Sequence, residues 1–222
     1  MNNLDATELT KAGRAVSEPF QLSIEKDGEG PSIIRIEKIL RLLPGRRIVA
    51  MAEQSGRKFL VKLFIGRGAR RYANREVNGV LAIEDSGVRT PFFEWRASLL
   101  DGGGEILAFE YVEGATNLID EWNNADGSPK LGLMQRVISE LAKLHESGVL
   151  QRDIHPENFL IRADRIYAID GGDVARRYQL RKNQSLENLA LFLAQFHGSV
   201  DELIPNLLLA YEAARGWTDN SK

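Results

Sequence analysis

Residues 149–161 place Asp153 and Asn158 five positions apart, between the apolar runs Val149-Leu150 and Phe159-Leu160-Ile161. Apolar runs of this kind read as buried strands, so the two polar side chains stand on a loop clamped at both ends. Twelve residues after Asn158, the run Ile166-Tyr167-Ala168-Ile169 delivers Asp170 at a strand end, and Gly171-Gly172 then lets the backbone turn sharply. Three oxygen-bearing side chains thus converge on one site. Phosphoryl transfer needs such equipment, because it depends on positioning and on neutralising phosphate charge with magnesium rather than on a covalent protein intermediate. Taken alone, Asp153 and Asn158 favour the plainer role of turn caps; Asp170, placed after an apolar strand, turns the balance toward the site.

Upstream, Phe59-Leu60-Val61-Lys62-Leu63-Phe64 sets one lysine inside an otherwise apolar strand. A buried charge needs a partner, and Glu76 and Glu84 both lie on the helix expected to follow. The plain alternative for Lys62 is an edge-strand lysine facing water. Phe109-Glu110-Tyr111-Val112-Glu113-Gly114 ends a strand where the strand-rich half of the chain stops.

The spacing Asp-x-x-x-x-Asn, followed by an apolar strand and Asp-Gly, resembles the catalytic and metal-binding loops of the protein-kinase superfamily. The form Asp153-Ile154-His155-Pro156-Glu157-Asn158 is closer to small-molecule kinases such as aminoglycoside phosphotransferases than to protein kinases. Residues 41–47, 61–64 and 186–192 carry a closer similarity to the lipopolysaccharide kinase family, whose bacterial members phosphorylate heptose or Kdo sugars of the inner core. The resemblance implies that Asp153 orients or deprotonates an acceptor hydroxyl, and that Asn158 and Asp170 bind Mg2+ bridging the phosphates of ATP. It implies also that Lys62, held by Glu76, contacts those phosphates, and that the carbonyl of Glu110 and the amide of Val112 read adenine.

The chain departs from the superfamily pattern in three places. No Gly-x-Gly-x-x-Gly precedes Lys62; Leu43-Pro44-Gly45-Arg46-Arg47 stands there, which assigns the phosphate cover to Arg46 or Arg47. Gln151 replaces the usual histidine before Arg-Asp, and Gly171 replaces the aromatic residue after the metal aspartate. Only about a dozen residues separate Asp173 from the next helical pattern, with no Ala-Pro-Glu segment, which is too little for a peptide-docking platform. Arg176, Arg177, Arg181 and Lys182 follow the metal loop and suit an anionic acceptor.

These motifs need elements to hold them. Residues 1–30 have few apolar anchors and read as a loosely held extension. Strand patterns over 33–43, 47–52 and 59–64, separated by Pro-Gly and Ser-Gly turns, predict an antiparallel meander. A helix over 69–85 with Val77, Val80, Leu81 and Glu84 in register follows, then strands near 92–95 and 106–111 joined by Asp101-Gly102-Gly103-Gly104. The polar stretch 114–130 marks the boundary. Beyond it, Leu133, Val137, Leu141 and Leu144 mark one helix, and Leu186, Leu189, Leu193 and Phe196 another. The expected architecture is α+β and bilobal, of the protein-kinase-like kind: a small antiparallel-sheet N-lobe with one helix over 31–113, and a reduced, mainly helical C-lobe over 114–222.

With 222 residues, 43% of them hydrophobic, the chain can bury a core of this size. It has no cysteine and only three histidines, so disulfides, thiolate zinc and a cysteine nucleophile are excluded and any metal is oxygen-bound. A net charge of −2 argues against a nucleic-acid partner. The absence of a signal-like start or a long apolar run points to the cytoplasm, with a peripheral inner-membrane contact left open. The leading expectation is ATP-dependent phosphorylation of a sugar hydroxyl in the lipopolysaccharide inner core, the acceptor being a glycolipid or sugar. Two others stand beside it: a kinase of a soluble small molecule, and a nucleotide-binding pseudokinase. The residues do not fix an oligomeric state.

Overall fold

A computed structural model describes residues 2–125 and 127–217; residues 218–222 of the expected helical half lie outside the described residues. The chain forms two compact units. One holds the described residues up to Val77 together with Pro91–Val112, and the other holds Asn78–Thr90 and the described residues from Glu113 onward.

The first unit contains α1 (Ala6–Ala12), β1 (Phe20–Lys26), β2 (Pro31–Leu43), β3 (Arg47–Gln54), β4 (Arg57–Ile65), the start of α2 (Ala69–Asp85), β5 (Phe93–Leu99) and β6 (Gly104–Glu110). The strands close into a six-stranded barrel in the order β1-β2-β3-β4-β6-β5. All of these pairings are antiparallel. Alternation fills its interior: Phe20, Leu22 and Ile24, Ala50 and Ala52, Val61 and Leu63, and Ile106 and Ala108 are all buried in one core. Register shifts in β2 between Ile36 and Lys38 and between Ile39 and Arg41 bend this long strand around the barrel.

Residues 1–30 are not a loose extension. β1 pairs with β2 on one side and with β5 on the other, so it closes the barrel and removes two open sheet edges. Asp5 and Glu8 form a capping box on α1, Asp101 accepts from the Ala6 amide at 2.8 Å, and Ala6 and Leu9 are buried. The sequence signal was weak because only three apolar residues, at alternate positions of β1, carry the whole strand.

The second unit contains the end of α2, then β7 (Thr116–Asn117), α3 (Leu118–Asn124), α4 (Ser128–Glu146), β8 (Val149–Gln151), β9 (Phe159–Arg162), β10 (Arg165–Ala168), β11 (Val174–Arg176), α5 (Lys182–Ala194) and α6 (Ile204–Ala214). Its core joins Ile83 and Val88 to Met134, Val137, Ile138 and Leu141 of α4, Phe192 of α5 and Tyr211 of α6. α3 falls within the stretch read as a polar boundary. Its Asn117 cap and its buried Leu118 and Trp122 make it part of this core. In α2 the buried stripe is Ala69, Ala73, Glu76, Val80 and Ile83. The expected stripe is corrected by a turn of the face: Leu81 and Glu84 are exposed, because small alanines carry the packing that larger residues were expected to provide.

Candidate active site

In the second unit, β8 delivers Gln151 to a loop that ends at β9. Asp153 projects from it with 69% of its side chain exposed, free to meet a substrate, and His155 Nε2 lies 3.1 Å from its Oδ1. Asn158 turns its Nδ2 inward to donate to the Asp153 carbonyl at 2.7 Å. That bond fixes the amide, and it leaves Oδ1 as the outward atom, a suitable ligand for a hard cation.

The strand leading to Asp170 is tied to the same loop from both sides. The Ile169 amide donates to the Asn158 carbonyl at 2.8 Å, and the Gln151 side chain donates to the Ile169 carbonyl at 2.8 Å. Asp170 itself has a left-handed backbone, with φ 68° and ψ 80°. A non-glycine residue is held there only when its surroundings over-determine it, and such outliers concentrate at functional sites. β11 continues the clamp: Val174 pairs with Gln151, and the Arg152 amide donates to the Asp173 carbonyl at 3.0 Å. Gly79 of α2 sits directly on the loop that follows Asp170, since a β-carbon at that position would stand 2.0 Å from the Gly171 carbonyl oxygen. The three residues Asp153, Asn158 and Asp170 are therefore joined through backbone atoms.

In the first unit, β4 alternates Val61 and Leu63 into the barrel, which turns Lys62 to its outer face. Lys62 Nζ lies 2.5 Å from Glu76 Oε1, and the residues are only 7% and 1% exposed. Of the two helix glutamates open to the sequence reading, Glu76 is the one buried against the lysine. Glu110 ends β6 opposite Phe59, its amide donating to the Phe92 carbonyl at 2.8 Å, and Val112 lies buried two residues on.

Gln151 and Asn188 are the functional residues that sequence reasoning under-read. Gln151 is 2% exposed and holds Ile169, so it performs the backbone-holding task at the position where histidine is usual. Asn188 is buried in α5 and donates to the Gln151 carbonyl at 2.8 Å. The available signal was an amide side chain inside the apolar helix run from Leu186 to Phe192.

Among the described residues no group of three His, Cys, Asp or Glu side chains is placed to hold a metal ion. Mg2+ takes one or two protein ligands and fills the rest of its shell with water and phosphate oxygens. The oxygen atoms of Asn158 and Asp170 fit this pattern.

No protein-family model matches the chain. Among solved structures, WaaP in complex with acyl carrier protein superposes with a TM-score of 0.61 over 82% of this chain and 79% of that one, at 21% identity. The fold is protein-kinase-like. A kinase from Cydia pomonella granulovirus, PK-1, aligns with a TM-score of 0.49 over 64% of this chain and 52% of that one, at 17% identity. The KEOPS complex subunit Bud32 of Pyrococcus abyssi is 28% identical over 99 residues, which is 44% of this chain. The match spans 42% of Bud32, well under half of that curated relative.

Proposed function

We propose that this chain is an ATP-dependent kinase that phosphorylates a hydroxyl of a sugar-containing acceptor, with the lipopolysaccharide inner core as the acceptor class. The observation that carries the reading is the fixed loop in which Asp153 is exposed while Asn158 and the strand before Asp170 are bound to each other and to Gln151. A buried Lys62–Glu76 pair on the strand and helix expected for a phosphate-binding lysine supports it. So does the fold likeness to WaaP.

In this reading Asp153 accepts a hydrogen bond from the acceptor hydroxyl, aligns its oxygen for attack on the γ-phosphorus of ATP and takes the proton as the new P–O bond forms and the bond from that phosphorus to the β-phosphate oxygen breaks, releasing ADP. Its exposure gives the acceptor access, and the carbonyl bond from Asn158 keeps its backbone from moving. Asn158 Oδ1 and the Asp170 carboxylate hold Mg2+, which when bound offsets the negative charge of the phosphates. Lys62 contacts phosphate oxygens while Glu76 fixes its direction. Glu110 and Val112 supply the backbone atoms for adenine.

Arg152, Arg177, Arg181 and Lys182 are exposed on the segments flanking the Asp153 and Asp170 loops, and they favour an anionic glycolipid over a cationic aminoglycoside. No helix among the described residues is long and apolar enough to cross a membrane. An inner-core acceptor would be met at the cytoplasmic face of the inner membrane, by peripheral contact. Acyl carrier protein, the partner in the WaaP complex, is the protein whose addition should be compared in the same assay.

The test is transfer of labelled γ-phosphate from magnesium ATP to purified inner-core acceptors. The expected result is transfer by the wild-type chain that is lost in Asp153→Ala. Tight ATP binding without transfer to any inner-core acceptor would overturn the acceptor class, and transfer retained in Asp153→Ala would overturn the site.

A further inference from the structure

Hydrogen bonds lead from Arg215 to the Asp153 loop in two stretches, a side-chain relay that ends on the Gln151 carbonyl and a set of bonds that ties Gln151, Ile169, Asn158 and Asp153 to one another. Arg215, just past α6, is permanently charged and can only donate. Its Nη1 donates to the Tyr211 hydroxyl at 3.1 Å and to Ser185 Oγ at 3.0 Å, while its Nε donates to Glu146 at 2.9 Å. With its oxygen accepting from Arg215, Tyr211 turns its own proton to His145 Nδ1, 2.6 Å away. Nε2 is then the protonated nitrogen of His145, and it donates to Asn188 Oδ1 at 2.9 Å. Asn188 therefore presents Nδ2 to the Gln151 carbonyl at 2.8 Å. From Gln151 the sense continues through its side chain to the Ile169 carbonyl, from the Ile169 amide to the Asn158 carbonyl, and from Asn158 Nδ2 to the Asp153 carbonyl.

Seven donors in succession point the same way, from Arg215 to Asp153. In the four bonds from Arg215 to the Gln151 carbonyl each group both accepts and donates, so each choice of donor fixes the one after it; the three beyond are linked only by the covalent chain of Gln151, Ile169 and Asn158. Plain packing would not call for this. His145, Asn188, Gln151 and Tyr211 are buried, and apolar residues of similar shape could fill those volumes at little net cost. The relay supplies what apolar packing cannot, a fixed position for the Gln151 carbonyl and so for the strand end from which its side chain reaches Ile169.

We infer that Tyr211 and Arg215 are positioning residues for phosphoryl transfer, acting through His145 and Asn188 to fix the loop that carries Asp153, Asn158 and Asp170. The inference rests on the kinase reading of that loop. Neither residue touches the acceptor; their effect is on the orientation of groups that do. Loss of the Tyr211 hydroxyl leaves His145 Nδ1 without its donor and frees the ring to exchange tautomers, so that Asn188 is no longer held with Nδ2 toward Gln151.

The test uses Tyr211→Phe, which keeps the ring and its edge contact with Trp217, at 5.7 Å between centroids, and removes one hydroxyl. kcat should fall roughly tenfold, the factor that one ordinary hydrogen bond carries, with KM for ATP unchanged. On the protein without substrate, the Ile169 amide should exchange its hydrogen faster by a similar factor, while amides in the middle of α4, such as Leu141, keep their protection. Arg215→Lys, which retains the charge but cannot serve both Tyr211 and Glu146, should reproduce the effect in milder form and serves if Tyr211→Phe does not fold. Leu209→Ser, on the 66% exposed side of the same helix, should change neither readout.

Equal loss of protection across α4 and the loop, or a fall in activity no larger than the fall in folded fraction, would reduce these residues to ordinary core and overturn the inference. Unchanged Ile169 exchange would overturn it as well. Because exchange is read without substrate, it decides the link from α6 to the loop separately from transfer. A wild-type chain inert on every acceptor would overturn the function proposed above and the catalytic half of this inference with it.

Discussion

His145 should make the second unit sensitive to acid in a calculable way. Burial disfavours its charged form, and Arg215 adds to this, while the bond to Asn188 opposes it; the result is a pKa lowered from 6.5 to about 4. The groups that face it are Asn188 from α5 and Tyr211 from α6, with Arg215 beyond and Glu146 on its own helix. Burial raises the Tyr211 hydroxyl above its usual pKa, so it stays a proton donor throughout the range of interest. In the unfolded chain the histidine takes up its proton near pH 6.5; in the folded chain it resists until about pH 4. Between those values the unfolded state binds more protons, so stability is full above pH 6.5 and is lost as the pH falls, by about 1.4 kcal/mol per pH unit and about 3 kcal/mol by pH 4. The assay is urea unfolding at a series of pH values for the wild type and for His145→Gln. The other two histidines and the carboxylates are common to both proteins, so the difference between the curves isolates His145. The wild type should lose its advantage progressively from pH 6.5 to 4. A difference that stays flat across that window would refute the burial and tautomer assignment together.

Other expectations follow from the same geometry. Lys62→Met leaves the Glu76 carboxylate in a site 1% exposed and should cost about 3–5 kcal/mol in denaturant unfolding, with loss of ATP binding. The double replacement Lys62→Met with Glu76→Leu should recover most of that stability and none of the binding. Gly79→Ala would gain up to about 1 kcal/mol in an ordinary helix, but its β-carbon would stand 2.0 Å from the Gly171 carbonyl, so the melting temperature should fall instead. Leu22→Ala in β1 should cost about 2–5 kcal/mol, measured by denaturant, because this strand fills and closes the barrel. A loosely held segment would show almost no change.

The order of the candidate motifs could be read from the sequence because the proposed phosphoryl transfer calls for particular groups at particular places along the chain. Asp153, Asn158 and Asp170 announce themselves by spacing and by the apolar strands around them, and Lys62 by being the one charge in an apolar run. The helix over 69–85 was legible from its period, yet its buried face was not. Ala69 and Ala73 carry too little hydrophobic weight to mark it, and Glu76 counts against burial until its lysine is known. β1 was missed for a related reason: a barrel can be closed by a strand with three apolar residues, since pairing on both edges supplies the rest. The hydrogen-bond chain behind the loop could not be read at all. Its members lie at 145, 151, 188, 211 and 215, and nothing local distinguishes a buried histidine or tyrosine that meets a partner dozens of residues away.

The two buried polar features bear on function through the same physical argument. An ion pair such as Lys62–Glu76 contributes little net stability, because removing both charges from water costs about as much as their attraction returns. The same holds for a buried amide, imidazole and phenol that could be replaced by apolar shapes. A fold under selection for stability alone would have no use for either. What each feature does provide is a unique direction: Glu76 fixes the Lys62 ammonium on the outer face of β4, and the chain from Arg215 fixes Gln151 and with it Ile169. Phosphoryl transfer gains most from preorganised groups that need not reorient as charge develops. On the kinase proposal both features stand where transfer would gain from them, one directing the Lys62 ammonium and the other holding the backbone behind the Asp153 and Asp170 loops.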